Sequence, residues 1–400
     1  MKVDAGPTRV LVLTTCYPKS QGDINGLFIE DLNKRLQPTY KIIVLAPWEP
    51  GLKRHEVLSG IEVFRHPQFF WPVRLAYGDD IMDKLRQKPW KWAVLPVFLF
   101  FQLLYTRKLC RTFSIQLIHA HWVIPSGLIA VIYKLLLNRR IKVLSTAHGA
   151  DIWSFLKTPS KWVLKFILRN TDTTIGVSKA LLNKITEINT NQNSFLGPMG
   201  VDTRKFIKND KPSKKQIEAT ILFVGTLIPR KGISSLVDAL ILLKKKEIPF
   251  NAILVGRGML KEEISAKINA AGLNDKITLA GAVGHEFLPE YYSQADIFIL
   301  PSHSEGLGLV YLEAMSSGVL TIASPLPTIK DIMKHGQTGI ILENLSPLTI
   351  ANCLEDSILN LEVYREIAER GRQFVVQTFD WEIAASNYNR FYQSTMHAKT

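Results

Sequence analysis

The feature that most constrains the fold is an alternation of short β-branched runs with helical patterns, which occurs twice along the chain. Such alternation is typical of βαβ units, in which helices cover both faces of a parallel sheet. A Lys-rich stretch broken by Pro212, residues 206–220, separates the two series. The sequence therefore predicts an α/β protein with two tandem doubly wound domains. The strand candidates are 9–15, 40–47, 61–67, 115–122, 141–149 and 173–178 before that stretch, and 221–227, 251–258, 276–283, 295–302, 319–324 and 339–342 after it.

Size and composition agree with two hydrophobic cores. The chain has 400 residues, of which 46% are apolar, and a single core rarely organises more than about 250 to 300 residues. Three widely separated cysteines show no zinc or redox spacing, which favours a reducing compartment. The apolar run that begins at Arg9 is too short for a signal peptide, so we expect it to form the first strand.

Positive charge is concentrated in the first half of the chain. Residues 1–205 contain 29 Lys and Arg against 14 Asp and Glu, whereas residues 206–400 contain 20 against 21. This asymmetry predicts an anionic partner for the first half: nucleic acid, an anionic membrane or a phosphorylated substrate. A solubilising surface without a specific partner would produce the same asymmetry.

One segment of the first half, residues 88–111, departs from the α/β pattern. Its apolar part, from Trp92 to Tyr105, has 14 residues, fewer than the roughly 20 needed to span a bilayer. Pro96 and Gln102 are expected to interrupt it. Tryptophans at one end and basic residues at both ends predict a helix that lies in the membrane interface and holds anionic lipid. The alternative is a buried crossover helix of the first domain.

The ligands of doubly wound sheets bind beyond the carboxyl ends of the strands, so chemistry is expected in the loops there. After the strand candidate 295–302, Glu305 and Glu313 are separated by seven residues. On one continuous helix they would point about 80° apart. If Glu305 lies on a turn and a helix begins near Gly308, both carboxylates can face one ligand, with the amides of that turn as an anion site. The alternative is a glycine-rich turn with one buried and one solvated glutamate.

Two cations follow the first strand of the second half. Arg230 and Lys231 stand between that strand and a helical pattern, where they suit a diphosphate. A second glycine turn around Gly256 follows the next strand. A ligand with both hydroxyls and phosphates would fit these charges and the two glutamates.

In this order, the stretches VGTLIPRKG, LVGRGML, ADIFILPSHSEGLGLVYLEAMSSG and HGQTG resemble the C-terminal domain of retaining glycosyltransferases of family 4. The first half is similar as well, in YPKSQGDINGLFIEDLNKRL, HAHWVIPSGL, STAHGADIW, GVSKALLNKI and GVDTRKF, and FDWEIAASNYNRFY is similar to the family's last helix. The resemblance implies the GT-B fold, with two Rossmann-like domains facing a central cleft. The acceptor-binding domain would be residues 1–203, completed by a returning C-terminal helix, 380–400, and the donor-binding domain would be residues 204–379.

The resemblance also implies roles for the motif residues of the second half. Glu305 would contact hydroxyls of the transferred sugar and Glu313 the ribose of the nucleotide. The two cations and the amides of residues 306–308 would neutralise the diphosphate leaving group, a task for fixed positive charge. The implied donor-binding residues are Arg230, Lys231, Gly256, Gly306, Leu307, Gly308, Leu309 and Glu313.

In the first half, the resemblance implies that His148 and Asp151 are catalytic together with Glu305 and face the acceptor hydroxyl and the sugar. Asn25 and Gly26 open the first helix, where their backbone would approach the acceptor or the donor phosphates. His121 would belong to the same acceptor and phosphate region, or would be structural. His285 is expected to be a loop residue without a role.

The sequence therefore predicts a retaining glycosyltransferase that moves a hexosyl unit from a nucleotide diphosphate sugar to a saccharide or lipid-linked acceptor, in cell-surface polysaccharide or glycolipid synthesis. No D-x-D motif is present in the sequence, so we expect neither metal nor cofactor. The protein is expected in the cytoplasm, peripheral on the inner face of the membrane, without nucleic acid or protein partner. A nucleotide-sugar epimerase of the same fold and a non-catalytic membrane or nucleic-acid binding protein are the alternatives.

Overall fold

Two separate β-sheets organise the chain. The computed structural model describes residues 6–20, 22–68, 75–77, 85, 88–156, 161–189, 193–208 and 218–398. The described residues up to Met199, together with those from Glu382 onwards, form one unit, and Gly200–Trp381 form the other. The predicted linker, 206–220, lies largely outside the described residues.

The strands of the first unit are Arg9–Leu13 (β1), Lys41–Pro47 (β2), His55–Leu58 (β3), Ile61–His66 (β4), Leu117–His121 (β5), Lys142–Ala147 (β6), Thr173–Gly176 (β7) and Asn193–Leu196 (β8). Those of the second unit are Ala219–Val224 (β9), Phe250–Val255 (β10), Ile277–Gly281 (β11), Ile297–Leu300 (β12), Leu320–Ala323 (β13) and Ile340–Ile341 (β14).

The α-helices of the first unit are Leu27–Leu36 (α1), Leu95–Thr112 (α2), Leu128–Leu136 (α3), Ala150–Leu156 (α4), Lys161–Asn170 (α5) and Lys179–Ile188 (α6). The later α-helices are Ile233–Lys245 (α7), Lys261–Ala270 (α8), Leu288–Gln294 (α9), Leu309–Ser316 (α10), Ile329–Ile332 (α11), Pro347–Leu359 (α12), Leu361–Thr378 (α13) and Trp381–His397 (α14).

Both sheets are doubly wound. The first has the order β3-β4-β2-β1-β5-β6-β7-β8 and the second the order β11-β10-β9-β12-β13-β14. All pairs between these strands are parallel except β3 with β4. Strand order reverses between β1 and β5 in the first sheet and between β9 and β12 in the second, and ligands of such sheets bind at this switch point. The predicted α/β class with two Rossmann-like domains is confirmed.

Two strands were missed by the sequence analysis, β3 and β8. Each has four residues and lies at an edge of the first sheet. Neither contains a fully buried residue, because an edge strand has one neighbour and packs less. A short strand of this kind lacks the apolar run by which β1 and β5 are recognised.

The last helix, α14, packs on the first unit. The Tyr392 hydroxyl lies 2.8 Å from His119 Nδ1 in β5, and the Tyr388 hydroxyl donates to the Gly197 carbonyl at 3.1 Å. Tyr40, just before β2, donates to the Asn389 side chain at 2.7 Å. The chain therefore returns to its first unit, as the resemblance implied.

The expectation that Pro96 and Gln102 interrupt the apolar segment is wrong. Pro96 lies in the first turn of α2, where a missing N–H costs nothing, and Gln102 is buried within the helix. With the preceding 3₁₀ turn, Trp90–Thr112 has 23 residues and is, by length and composition, long enough and apolar enough to cross a membrane, while 33% of its most apolar part is buried. One side of the helix is buried in the first unit, where Leu109 and Cys110 join one hydrophobic cluster and Phe98 joins another.

Candidate functional site

The loops after β9 and β12 meet at the switch point of the second sheet. A 3₁₀ turn, Pro229–Lys231, follows β9 and precedes α7. The Arg230 carbonyl accepts the His303 N–H at 2.8 Å and the Ser302 hydroxyl at 3.2 Å. These bonds hold the two loops side by side, while the Arg230 side chain is exposed.

Lys231 and Glu305, two residues with predicted roles, form an ion pair across these loops. Lys231 Nζ lies 2.6 Å from Glu305 Oε1, and the side chains are 17% and 10% exposed. The Thr328 hydroxyl donates to the Glu305 carbonyl at 3.2 Å. An ammonium has three N–H donors, so Lys231 can hold this carboxylate and still bind an anion.

The turn after Glu305 leads into α10, which begins at Leu309, with Gly308 as the residue before it. This agrees with the predicted start near Gly308. Gly308 has φ +79°, and a β-carbon there would lie 2.5 Å from the Tyr311 ring, so only glycine fits. The first N–H groups of a helix lack i–4 partners within it. The Tyr311 N–H of α10 donates to the Gly308 carbonyl at 3.0 Å, which leaves those of Leu309 and Val310 for an anion.

Glu313 lies further along α10 and is only 6% exposed. His285 Nε2 is 2.8 Å from its Oε1, and the Tyr292 hydroxyl donates to its Oε2 at 3.0 Å. Lys205 Nζ lies 3.2 Å from His285 Nδ1. Burial, followed by the charge of Glu313, raises the pKa of Tyr292 well above its ordinary value, so the hydroxyl stays protonated.

The two partners of Glu313, and Lys205 behind His285, were not predicted from the sequence, in which His285 was expected to have no role. His285 follows β11 and Tyr292 lies in α9, and no motif links either residue to Glu313. Their contacts with Glu313 can be recognised only in the folded unit, in which β12 and α10 lie beside them.

Gly256, a predicted donor-binding residue, follows β10. It has φ +149°, and a β-carbon there would lie 1.8 Å from the Gly225 carbonyl oxygen. Glycine is therefore required for the loops after β10 and β9 to touch. Its contact with a donor stays a prediction.

In the first unit, three histidines lie together at the carboxyl ends of β5 and β6. His121 Nδ1 is 3.0 Å from His148 Nε2, and His119 Nε2 is 2.8 Å from the Thr146 hydroxyl. Burial lowers the pKa of His119 and of His148 to about 3, and that of His121 well below its ordinary value. All three imidazoles are therefore neutral near pH 7.

Aromatic rings surround His148. The ring centroids of Phe28 and Trp122 lie 5.1 and 5.0 Å from that of His148. Phe28 is in the first turn of α1, just after Asn25 and Gly26, and so connects the predicted acceptor loop to the histidines. The Asn25 side chain donates to Asp23 Oδ1 at 2.7 Å. Phe28 and Trp122 had no predicted role, because an isolated aromatic residue is usually part of the core.

The Asp151 carboxylate is buried and accepts only backbone N–H groups in the bonds observed. The donors are His148 at 3.1 Å and Gly149 at 2.9 Å to Oδ1, and Val123 at 2.7 Å to Oδ2. Burial raises the pKa of Asp151 to about 6, although these bonds lower it. Asp151 thus ties the loop after β6 to the turn after β5, and its predicted catalytic role stays a prediction.

Within the residues that the structure describes, no three His, Cys, Asp or Glu side chains come together as a group that could hold a metal ion. The two switch points present different chemistry: an ion pair and a buried carboxylate beside a helix start in the second unit, and neutral imidazoles with aromatic rings in the first.

Comparison with known proteins identifies the family to which this pair of domains belongs. Residues 204–374 match the family described as "Glycosyl transferases group 1", and residues 27–205 match "Glycosyltransferase Family 4". A Bacillus anthracis N-acetyl-alpha-D-glucosaminyl L-malate synthase is 24% identical, over 96% of each chain. A GDP-mannose-dependent alpha-(1-6)-phosphatidylinositol monomannoside mannosyltransferase of Mycobacterium tuberculosis is 26% identical, over 96% of this chain and 98% of its own.

Solved structures agree on the fold. Sucrose-phosphate synthase from Thermosynechococcus elongatus superposes with a TM-score of 0.79 at 21% identity, covering 98% of this chain and 100% of its own. The Anabaena protein HepE in complex with UDP and glucose superposes with a TM-score of 0.72 at 17% identity, covering 97% and 100%. The fold is GT-B, and the class of protein is a glycosyltransferase. The chain belongs to glycosyltransferase family 4.

Proposed function

We propose that this glycosyltransferase transfers a hexosyl unit from a nucleotide diphosphate sugar to a saccharide or lipid-linked acceptor with retention of the anomeric configuration. The observation that carries the proposal is the pairing of Lys231 with Glu305 beside the start of α10. A cation held against a carboxylate suits a ligand in which a phosphate is bonded directly to a hydroxyl-bearing sugar.

The roles follow from the charges. When the bond between sugar and phosphate breaks, negative charge develops on the departing diphosphate, and fixed positive groups stabilise it. Lys231, the exposed Arg230 and the first N–H groups of α10 supply that charge without a metal ion. Glu305 contacts sugar hydroxyls, and Glu313, deeper in the unit, binds the ribose.

The acceptor side of the proposal rests on the first unit. The imidazole of His148, neutral and bounded by Phe28 and Trp122, offers a hydrogen-bonding group beside apolar rings, a combination that suits a sugar. With Asp151 holding its loop, His148 meets the acceptor hydroxyl or the transferred sugar. The names of the relatives support glycosyl transfer, which neither an epimerase nor a non-catalytic binding protein would perform.

The decisive experiment is a screen of nucleotide sugars, first by thermal shift and hydrolysis and then in transfer to saccharide and lipid-linked acceptors. We expect at least one nucleotide sugar, and its free nucleoside diphosphate, to raise the melting temperature. Lys231→Met should abolish that shift, whereas Lys245→Met, at an exposed lysine of α7, should not. If millimolar nucleotide sugars neither stabilise the protein nor react, the proposal is wrong. Conversion of a donor alone into an isomer would favour the epimerase, and an inverted product would contradict retention.

We further propose that the enzyme works in the cytoplasm, bound peripherally to the inner face of an anionic membrane through the outer side of α2, α3 and α5. The helices α2 and α3 pack together, as do α3 and α5. We call their outer side the helical face. Its apolar side chains are 39% to 76% exposed: Trp90, Trp92, Phe100, Leu104, Leu136, Leu137, Trp162 and Phe166.

Charge on the helical face supports an anionic bilayer as its partner. Residues 88–170 contain 13 Lys and Arg and a single acidic residue, Asp151, which is buried. Because β5, β6 and β7 are parallel and in register, the segments that precede them lie side by side at the amino-terminal ends of these strands. Six exposed cations stand there: Arg107, Lys108, Arg111, Arg139, Arg140 and Arg169. Exposed apolar rings flanked by cations are the composition of an interfacial surface.

Vesicle flotation tests the membrane proposal. Vesicles with about a third of anionic lipid should bind the protein and purely zwitterionic vesicles should not, and the bound protein should be released by high salt. Reversing Arg139 and Arg140 to Glu should weaken binding at least tenfold, at about 1 kcal/mol for each basic residue lost, whereas Leu359→Glu in α12 should not. Equal binding to both vesicle types, or none, would remove the proposal, and retention after alkaline extraction would indicate a spanning helix instead.

A further inference from the structure

A continuous row of four polar side chains runs through the second unit and includes the carboxylate proposed to bind ribose. Lys205 contacts His285 at 3.2 Å, His285 contacts Glu313 at 2.8 Å, and Tyr292 contacts the other oxygen of Glu313 at 3.0 Å. The side chains of His285 and Glu313 are 19% and 7% exposed. The row is therefore largely shielded from solvent.

The direction of each hydrogen bond in the row is set by chemistry. An ammonium only donates, so His285 Nδ1 must accept from Lys205. In a neutral imidazole the other nitrogen then carries the hydrogen, so His285 Nε2–H donates to Glu313 Oε1. A carboxylate only accepts, and the Tyr292 hydroxyl therefore donates to Oε2. Each oxygen of Glu313 receives one hydrogen and retains a lone pair for another donor.

Lys205 is held in position by its neighbour Phe206. The Phe206 ring packs edge-on against His285, at 5.3 Å, and against Tyr292, at 5.6 Å. Its carbonyl accepts the Ser316 hydroxyl of α10 at 2.6 Å. The segment before the second sheet is thus tied to the helix that carries Glu313, and it supplies the cation at the start of the row.

We infer that His285, oriented by Lys205, is a positioning residue that fixes the Glu313 carboxylate so that its two free lone pairs receive the two ribose hydroxyls of the nucleotide. The inference rests on the proposed function, in which Glu313 binds ribose. A carboxylate held by one donor on each oxygen cannot rotate, so the ligand does not have to order it on binding. Outer partners of this kind increase affinity without touching the ligand.

Loss of a purely structural contact would weaken the binding of every ligand equally, whereas loss of a positioning residue would weaken only ligands that carry ribose hydroxyls. The experiment therefore compares the two kinds of ligand. Calorimetry would compare UDP and GDP with their 2′,3′-dideoxy forms, which lack both ribose hydroxyls. His285→Phe, which removes the hydrogen bond, should weaken binding of the ribonucleotide about tenfold and leave the affinity of the dideoxy form unchanged. His285→Gln, whose amide can accept from Lys205 and donate to Glu313, should restore most of the affinity.

Two further variants complete the test. Lys205→Met leaves His285 in place but removes the group that orients it, and it should cause a smaller loss that is again confined to the ribonucleotides. His397→Phe, at an exposed histidine of α14, should change neither affinity. Folding of each variant is checked by its melting temperature, and Lys205→Met serves as the test if His285→Phe does not fold.

The outcomes separate the inference from the function on which it rests. Equal losses for ribonucleotide and dideoxy forms, or no loss in His285→Phe, would overturn the positioning role while the donor site stands. If Glu313→Gln changes the affinity for the ribonucleotide and for the dideoxy form equally, the assignment of Glu313 to ribose is wrong. The positioning role of His285 is then wrong as well.

Discussion

The switch points of the two sheets have the same topology but different electrostatics, because one contains charged side chains and the other contains neutral ones. At β9 and β12 charged groups have polar partners: Lys231 pairs with Glu305, and the Glu313 carboxylate accepts from His285 and Tyr292. At β5 and β6 the imidazoles of His121 and His148 are kept neutral by burial. A paired charge can exchange its partner for a charged ligand at little cost, whereas a buried neutral group is suited to uncharged hydroxyls.

Net charge does not reveal this difference. The first half of the chain carries the whole positive excess, yet the exposed cations named above lie in α2, in α5 and in the segment before β6, and not among the histidines. The second half is nearly neutral because its cations and carboxylates are matched. An anion site therefore depends on how charges are arranged and not on their sum. The excess positive charge of the first half indicates a charged surface instead.

The largest expected effect is on the charged side of the comparison. Lys231→Met and Glu305→Gln should each lower kcat/KM about 10² to 10³-fold, because each removes a group acting on the developing charge or the sugar. Since the two act as a pair, the double variant should lose less than the product of the single effects. Steady-state kinetics with Lys245→Met as control checks this.

Near wild-type turnover of Glu305→Gln would contradict its assignment. Unchanged nucleoside diphosphate affinity in Lys231→Met, measured by calorimetry, would show that Arg230 carries the diphosphate alone.

An intermediate effect is expected on the neutral side. Asp151→Ala leaves the backbone N–H groups of Val123, His148 and Gly149 without their acceptor, which should lower the free energy of unfolding of the first unit by about 2 kcal/mol. Seven of the eight tryptophans precede residue 200, so fluorescence during urea unfolding reports on this unit. Glu187→Ala, at an exposed ion pair, should cost less than about 1 kcal/mol, and an equal loss in both variants would contradict the role of Asp151.

The last effect concerns pH and is small near neutrality. Burial lowers the pKa of His119 in the folded chain to about 3. Between about pH 3 and 6.5, His119 therefore binds a proton in the unfolded chain but not in the folded chain. Stability is therefore lost as the pH falls below about 6.5, at up to roughly 1.4 kcal/mol per pH unit for each such group. His119→Gln should reduce that slope, measured by urea unfolding at several pH values, and His397→Gln should not. An unchanged slope in His119→Gln would show that His119 is not kept neutral.

Asp151 acts in the opposite sense. Its pKa is raised from 3.8 to about 6 in the folded protein, so its contribution to stability is present at low pH and is lost as the pH rises through that range. Between about pH 4 and 6 the carboxyl and the imidazoles partly cancel, and the Asp151→Ala variant should show the steeper loss of stability on acidification.

Most of the fold could be predicted from the sequence. Twelve of the strands correspond to apolar runs that the chain itself displays, because a strand buried on both faces must be apolar along its length. The start of α10 was predictable because Gly308 marks a backbone conformation that other residues avoid. Edge strands β3 and β8 could not be predicted in this way, and Pro96 was misread because its effect depends on where the helix begins.

The alternation of strands and helices is a local property of the sequence, and it sufficed to predict the two doubly wound units and the loops that carry Glu305, Lys231 and His148. The side chains that these loops contact depend instead on how the strands are ordered in each sheet. His285 is 28 residues from Glu313, and Lys205 is 80 residues from His285. Local periodicity reports whether a side chain is buried, but neighbours at a switch point are set by the order of strands in the sheet, which joins residues that no local pattern connects.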